Sequence, residues 1–101
     1  MNRNAVAETI LQQLGGQRFI AMTGARYLVA TPNALQFRVS STLTKRRINS
    51  VVVRLDANDT YTLLFNRRKG VDVIPVDSAT GIYADQLRGV FTDATGLATS
   101  L

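Results

Sequence analysis

The stretch "INSVVVRLDANDTYTLLFNRRKG", residues 48 to 70, decides the fold of this chain. It contains two β-prone runs on either side of "ANDT", where Asn and Asp favour a tight turn because their side chains bond to nearby backbone. Within each run, apolar residues alternate with others and therefore share one face of a strand. The residues on these two faces are Val51, Val53, Leu55, Tyr61, Leu63 and Phe65. The stretch predicts a long antiparallel hairpin with one buried face, and its aromatic residues are expected in the core.

Three shorter runs flank this hairpin and predict further strands. Upstream, "RYLVA" (26–30) and "LQFRV" (35–39) are separated by "TPNA", whose Pro and Asn suit a turn. Downstream, "VDVIPV" (71–76) is interpreted as an edge strand, because Pro75 has no N–H to donate to a central ladder.

Both ends of the chain predict helices. The segment "NAVAETILQQLGG" (4–16) places Val6, Ile10 and Leu14 on one helical stripe that ends at Gly15. The following "QRFIAMTG" (17–24) fits either a short helix or a first strand, and the short helix is preferred. In "IYADQLRGVFTDATGL" (82–97) an apolar helical face is followed by Gly96 as the stop. The residues of that face are Tyr83, Leu87, Val90, Phe91 and Ala94.

Together these elements predict an α+β fold. We expect an antiparallel sheet of about four to five strands, with an N-terminal and a C-terminal helix packed on it. A length of 101 residues with 46% hydrophobic residues fits one globular domain over residues 1–101. The N-terminal apolar pattern is interrupted by Glu8, Gln12 and Gln13, so it lacks the continuous apolar core of a secretory signal. We expect a soluble cytoplasmic protein with no membrane partner.

Composition restricts the chemistry that this chain can perform. It has no Cys and no His, which excludes disulfides, Cys/His metal sites and thiol or imidazole catalysis. The remaining candidate acids and bases have no diagnostic spacing, and the two aspartates around "ANDT" are explained by the turn. These candidates are Asp56, Asp59, Asp72, Asp77, Asp85, Tyr27, Tyr61 and Tyr83. A carboxylate pair assembled by the fold is the remaining route to catalysis. We predict no catalytic residue, no metal, no cofactor and no enzyme.

Positive charge is concentrated in the middle of the chain. The net charge is +5, yet residues 38–69 hold eight basic residues against two acidic ones, and the rest hold four against five. Two basic clusters, "TKRR" (44–47) and "NRRKG" (66–70), flank the hairpin at the same end. Antiparallel pairing would bring Arg47 near Arg67 and predicts one shared basic rim. Its predicted members are Lys45, Arg46, Arg47, Arg67, Arg68 and Lys69, with Arg38 and Arg54 extending it from outward-facing strand positions.

A concentrated basic surface has three interpretations. It can bind DNA or RNA by neutralising phosphates and releasing counterions. It can bind an acidic surface on a protein partner. It can also be solvated charge that prevents strands from pairing with neighbours. Nucleic-acid binding is our leading functional hypothesis, and a homodimer formed through an exposed sheet face is compatible with either partner.

Two blocks carry a resemblance to known proteins. "ILQQLGGQRFIAMTGA" (10–25) and "YADQLRGVFTDATGL" (83–97) resemble the two ends of a family of small uncharacterised proteins of bacteriophages and other mobile genetic elements. The likeness spans most of the chain, with the basic hairpin as its looser part. It implies an accessory phage protein acting in the host cytoplasm, either a nucleic-acid-binding factor or an inhibitor of a host defence complex of the anti-CRISPR or anti-restriction type. It assigns no role to any residue.

Overall fold

A computed structural model describes residues 4–99 and shows one five-stranded antiparallel sheet with helices against one face. The strands follow chain order across the sheet. They are β1 (Arg26–Thr31), β2 (Ala34–Arg38), β3 (Ser50–Leu55), β4 (Tyr61–Lys69) and β5 (Asp72–Ile82). The helices are α1 (Ala5–Leu14), α2 (Gly16–Thr23) and α3 (Leu87–Thr95), with 3-10 turns at Lys45–Arg47 and Ala84–Gln86. The α+β prediction is confirmed.

The predicted hairpin forms the centre of the sheet. Strands β3 and β4 pair in the expected register, with Val51 opposite Phe65 and Val53 opposite Leu63. All four side chains are buried, because the alternation in each strand directs them toward the helices. Strand β5 lies at one edge, as Pro75 predicted, and runs further than "VDVIPV". The alternating pattern therefore determined which sheet face is covered.

The helical layer covers the sheet through a cluster of phenylalanines. Phe19 of α2 packs edge-on against Phe37 of β2 and Phe91 of α3, with ring centroids 5.3 and 5.2 Å apart. Residues 17–23 lie in the preferred short helix rather than in a strand, and Gly24 caps its end in the left-handed conformation. Gly15 separates α1 from α2 at φ 129°, and a Cβ there would lie 3.2 Å from the Cβ of Phe19. Glycine therefore permits both the turn and the close packing.

The C-terminal helix begins later than its apolar pattern suggested. Leu87 and Phe91 are buried as predicted, but Tyr83 precedes the helix and is 62% exposed, so its predicted place on the apolar face is wrong. The physical reason is a 3-10 turn at Ala84–Gln86, whose entry is fixed when the Tyr83 backbone N–H donates to Oε1 of Gln86. Within residues 4–99 no helix has the length and apolar character needed to cross a membrane.

Candidate functional site

A cleft of about 690 Å³ lies at the end of the sheet opposite the "ANDT" turn, between the loop after β2 and the last residues of β4. We call it the basic cleft. Its lining combines cationic, hydroxyl and amide side chains. The lining residues are Ser41, Thr42, Thr44, Arg47, Asn49, Arg67, Arg68 and Lys69.

Strand β4 supplies three of the cations because it is longer than β3. Pairing between the two strands reaches Asn66, opposite Ser50, and β4 then continues through Lys69 alongside β5 only. Arg67 and Arg68 are consecutive in this extension, so their side chains leave on opposite sides of the strand. Arg67 and Arg68 consequently contribute positive charge to the cleft from the two opposite faces of β4.

The side chain of Asn49 fills the space that β3 leaves beside this extension. Its Nδ2 donates to the Arg68 carbonyl at 3.0 Å, and its Oδ1 accepts from the Arg68 backbone N–H at 2.7 Å. Its backbone N–H donates to the Asn66 carbonyl, and its carbonyl accepts from the Val39 N–H and from Nε of Arg38. One residue thus fastens the loop to both neighbouring strands and fixes the floor of the basic cleft.

The loop that carries Arg47 holds an unusual backbone conformation. Arg46 and Arg47 have φ values of 54° and 57°, in the left-handed region that costs non-glycine residues about 1–2 kcal/mol each. Contacts on either side offset this cost: Oγ1 of Thr44 donates to the Ile48 carbonyl at 2.6 Å, and the Ile48 side chain is fully buried. The loop is therefore a fixed structure, and its strain coincides with the site.

The cleft cations lack carboxylate partners. No Asp or Glu lines the basic cleft, and none of its four cations forms an ion pair with a carboxylate of residues 4–99. Asp72 lies opposite Lys69 in the β4–β5 register without an ion pair between them. Uncompensated positive charge within a concave surface concentrates anions from solution.

Two of the six predicted rim cations point away from the cleft. Nζ of Lys45 donates to the Asp93 carbonyl at 3.1 Å, and the guanidinium of Arg46 pairs with Asp77 at 2.8 Å. The hydrogen bond from Arg46, assisted by the Ser78 backbone N–H, lowers the pKa of Asp77 from its ordinary value of 3.8. Lys45 and Arg46, two of the predicted rim members, therefore do not line the basic cleft, because α3 and β5 offer them oxygen acceptors.

The two predicted supporting arginines lie at opposite ends of the sheet. Arg38 borders the cleft through its bond to Asn49. Arg54 lies beside the "ANDT" turn and pairs with Asp56 at 2.9 Å. Hydrogen bonds from the Thr62 hydroxyl and from Arg54 lower the pKa of Asp56 below 3.8. Arg54 therefore belongs to a neutralised cluster distant from the basic cleft.

Sequence reasoning missed several contributors to this end of the molecule. Ser41 and Thr42 lie between β2 and the "TKRR" cluster, a segment to which the sequence analysis gave no role although its density of Ser and Thr was a signal, and Asn49 was included in the hairpin stretch. Arg26 and Tyr27 lie beside the cleft in a smaller pocket with Arg38, and no sequence signal indicated this position.

Neither metal chemistry nor known relatives add to this description. Across residues 4–99 no three Asp or Glu side chains come together in a way that would hold a metal ion. A scan against models of protein families, a search of curated proteins and a search of solved structures each found no match. The physical properties of the basic cleft are therefore the basis for a functional proposal.

Proposed function

We propose that the protein binds nucleic acid through its phosphate backbone at the basic cleft. The observation that carries the proposal is the convergence of Arg47, Arg67, Arg68 and Lys69 around a volume of about 690 Å³ with no carboxylate in the lining. Polyanions gain affinity from such a site by releasing condensed counterions when phosphates are neutralised.

The chemistry of the lining favours phosphate contacts over base reading. Arginine side chains can hold a phosphate through two parallel N–H···O bonds, and Ser and Thr hydroxyls commonly contact phosphate oxygens. The side chains of Ser41, Thr42 and Thr44 provide hydroxyls beside the four cations. Such contacts fix a strand in place without reading its sequence, so we expect weak sequence preference.

The site is largely formed before any ligand arrives. Asn49 fastens the loop to the Arg68 backbone, and the buried Ile48 anchors it to the core. A fixed loop loses little conformational entropy on binding, which leaves more of the contact energy as affinity. Lys45, whose partner is a neutral carbonyl, adds positive potential from the same loop without lining the cleft, whereas the charge of Arg46 is offset by Asp77.

The direct test is a binding titration at two salt concentrations. The purified protein is titrated into labelled single- and double-stranded DNA and RNA at about 50 and about 200 mM salt. Four phosphate contacts predict a loss of affinity of about 50- to 150-fold between these conditions. Absence of binding at the lower salt would overturn the proposal.

A matched pair of double variants assigns the binding to the cleft. Arg67→Ala with Arg68→Ala removes two lining cations and should weaken binding to every sequence while reducing the salt dependence. Arg18→Ala with Arg88→Ala removes the same charge from exposed helical positions outside the cleft and is the control. Equal affinities for the cleft variant and the parent would contradict the proposed site.

A second candidate function, docking onto an acidic protein surface, is supported by one observation. Strand β5 and the turn before it expose Val71, Val73 and Ile74, and β5 pairs with β4 where the cleft cations lie. Apolar side chains beside cations suit a protein interface better than a phosphate chain. The phage resemblance implies a host defence protein as that partner. Recovery of one host protein in a nuclease-treated pull-down, without nucleic-acid binding by the purified chain, would favour this candidate.

A further inference from the structure

Strand β1 contains a bulge that displays an aromatic ring. Its pairing with β2 shifts between Arg26 and Val29, and Tyr27 within the bulge has φ 54°. This conformation is rare for an aromatic residue, and it leaves Tyr27 73% exposed. The bulge changes the direction of the Tyr27 side chain relative to a regular strand, and residues 26–30 of this edge strand are all exposed.

The displayed ring lies on a path that continues into the basic cleft. Tyr27 lines a pocket of about 160 Å³ with Arg26 and Arg38, and Ser41 and Asn49 line both this pocket and the cleft. The smaller pocket, like the cleft, has no carboxylate in its lining. Ser41 and Asn49 therefore form a common wall between the pocket of Tyr27 and the basic cleft.

A cation already accompanies the ring. The guanidinium carbon of Arg26 lies 5.8 Å from the centroid of the Tyr27 ring. Arginine in this arrangement is attracted to the electron-rich face of the ring and adds positive charge beside it. An aromatic ring with a neighbouring arginine is the combination that single-strand binding surfaces use to stack bases while holding phosphates.

We propose that Tyr27 stacks on a nucleobase of a single-stranded nucleic acid whose phosphates occupy the basic cleft. This inference rests on the proposed function and specifies its substrate class. Bases in a duplex are stacked on one another and offer no free face, whereas every base of a single strand offers one. Three inter-strand steps of about 4.8 Å place β1 about 14 Å from β4, so nucleotides a few positions apart on one strand would reach both features.

A second exposed tyrosine provides a matched control. Tyr83 is 62% exposed, similar to Tyr27, but it lines neither the small pocket nor the basic cleft. If exposure alone created affinity, both tyrosines would contribute. If the path from β1 to β4 is the binding surface, only Tyr27 contributes.

The experiment compares three probes by fluorescence anisotropy at about 50 mM salt. The probes are a single-stranded oligonucleotide of about 16 nucleotides, the upper end of common single-strand site sizes, an abasic strand of equal length, and a duplex. The abasic strand keeps every phosphate and lacks every base. The parent should bind the base-bearing strand about 5- to 150-fold more tightly than the abasic strand, as expected for one stacked base.

The variants show whether Tyr27 is the source of that preference. Tyr27→Ala should bind both strands as the parent binds the abasic one, with an unchanged salt dependence because no phosphate contact is lost. Tyr27→Phe should keep the preference, since it retains the ring, and Tyr83→Ala should behave as the parent. An unchanged preference in Tyr27→Ala, or equal binding of all three probes by the parent, would overturn the stacking inference while the phosphate-binding proposal stands. Absence of binding to every probe would overturn both.

Discussion

Arginine side chains lie at both ends of the sheet, but a carboxylate neutralises their charge at one end only. Beside the "ANDT" turn, Arg54 is neutralised by Asp56, which also accepts a hydrogen bond from Thr62. At the other end, Arg47 and Arg67 line a cleft without any carboxylate. The supply of carboxylates within reach, more than the number of cations in the sequence, separates a structural charge from one available to a ligand.

The same distinction divides one short loop. Arg46 and Arg47 are adjacent and share a left-handed backbone, but Arg46 reaches Asp77 while Arg47 lines the basic cleft. Adjacent cations therefore have different availability, and four variants test the contrast between the two ends of the sheet.

The largest expected effect follows from reversing charge inside the cleft. Arg47→Glu with Arg67→Glu replaces two cations by carboxylates and should weaken nucleic-acid binding by about 100-fold or more at low salt, because contacts become repulsions. Anisotropy titrations measure this loss. Retained affinity with an intact fold by circular dichroism would locate the binding surface elsewhere.

The next largest effect concerns the fastening of the loop. Asn49→Ala removes both side-chain bonds to the Arg68 backbone and should lower the free energy of unfolding by about 1–3 kcal/mol, since two hydrogen bonds worth about 0.5–1.5 kcal/mol each are lost. Urea unfolding measures the change. Asn66→Ala, half-buried on the neighbouring strand, is the control, and equal stability of parent and Asn49→Ala would refute the fastening role.

Introducing one carboxylate into the basic cleft should neutralise one of its cations, as Asp56 neutralises Arg54 beside the "ANDT" turn. Ser41→Asp places an acid beside the lining cations and should reduce nucleic-acid affinity by about tenfold, with a smaller salt dependence, because one cation acquires an internal partner. Ser41→Asn has nearly the same shape without the charge and should retain most of the affinity. If both variants bind alike, shape rather than charge governs the site.

The smallest expected effect follows from replacing Asp56, beside the "ANDT" turn. The pKa of Asp56 is lowered in the folded protein, so its ionised form stabilises the fold above its unfolded pKa, and this stabilisation is lost as pH falls through the folded value. Asp56→Asn should therefore reduce the urea midpoint at neutral pH, and its difference from the parent should shrink as the pH falls through the folded pKa of Asp56. Nucleic-acid affinity should be unchanged. A difference that keeps the same size at every pH would argue against the ionic contribution.

Much of the fold followed from local pattern. Val53 and Leu63 revealed the covered sheet face because strand side chains alternate, and Ile10 and Leu14 revealed a helix because they recur every four residues. Tyr83 was misplaced because a helical spacing also continues through a 3-10 turn. Periodicity therefore identified the elements better than their first residues.

The site was harder to predict from the sequence, since it depends on how side chains from different strands and loops lie relative to one another. Arg47 and Arg67 line the same cleft, but Arg47 reaches it from the 3-10 turn before β3 and not from a position in the β3–β4 ladder. The pairing of Arg46 with Asp77 depends on a bulge in β5 that sets where Asp77 lies along β4. Tyr27 has a positive φ that is unusual for a residue other than glycine, and nothing in the sequence around it predicts this conformation.

The hydrogen bond from the Arg68 backbone N–H to the Asn49 side chain has a dynamic consequence. Most strand amides exchange with solvent when two backbones separate, but this one becomes accessible as soon as a side chain lifts. Deuterium uptake at the Arg68 amide would therefore report the opening of the loop between β2 and β3, before the strands of the sheet separate. A ligand that holds the loop closed would slow that one exchange rate, giving a residue-level signal of occupancy without a label.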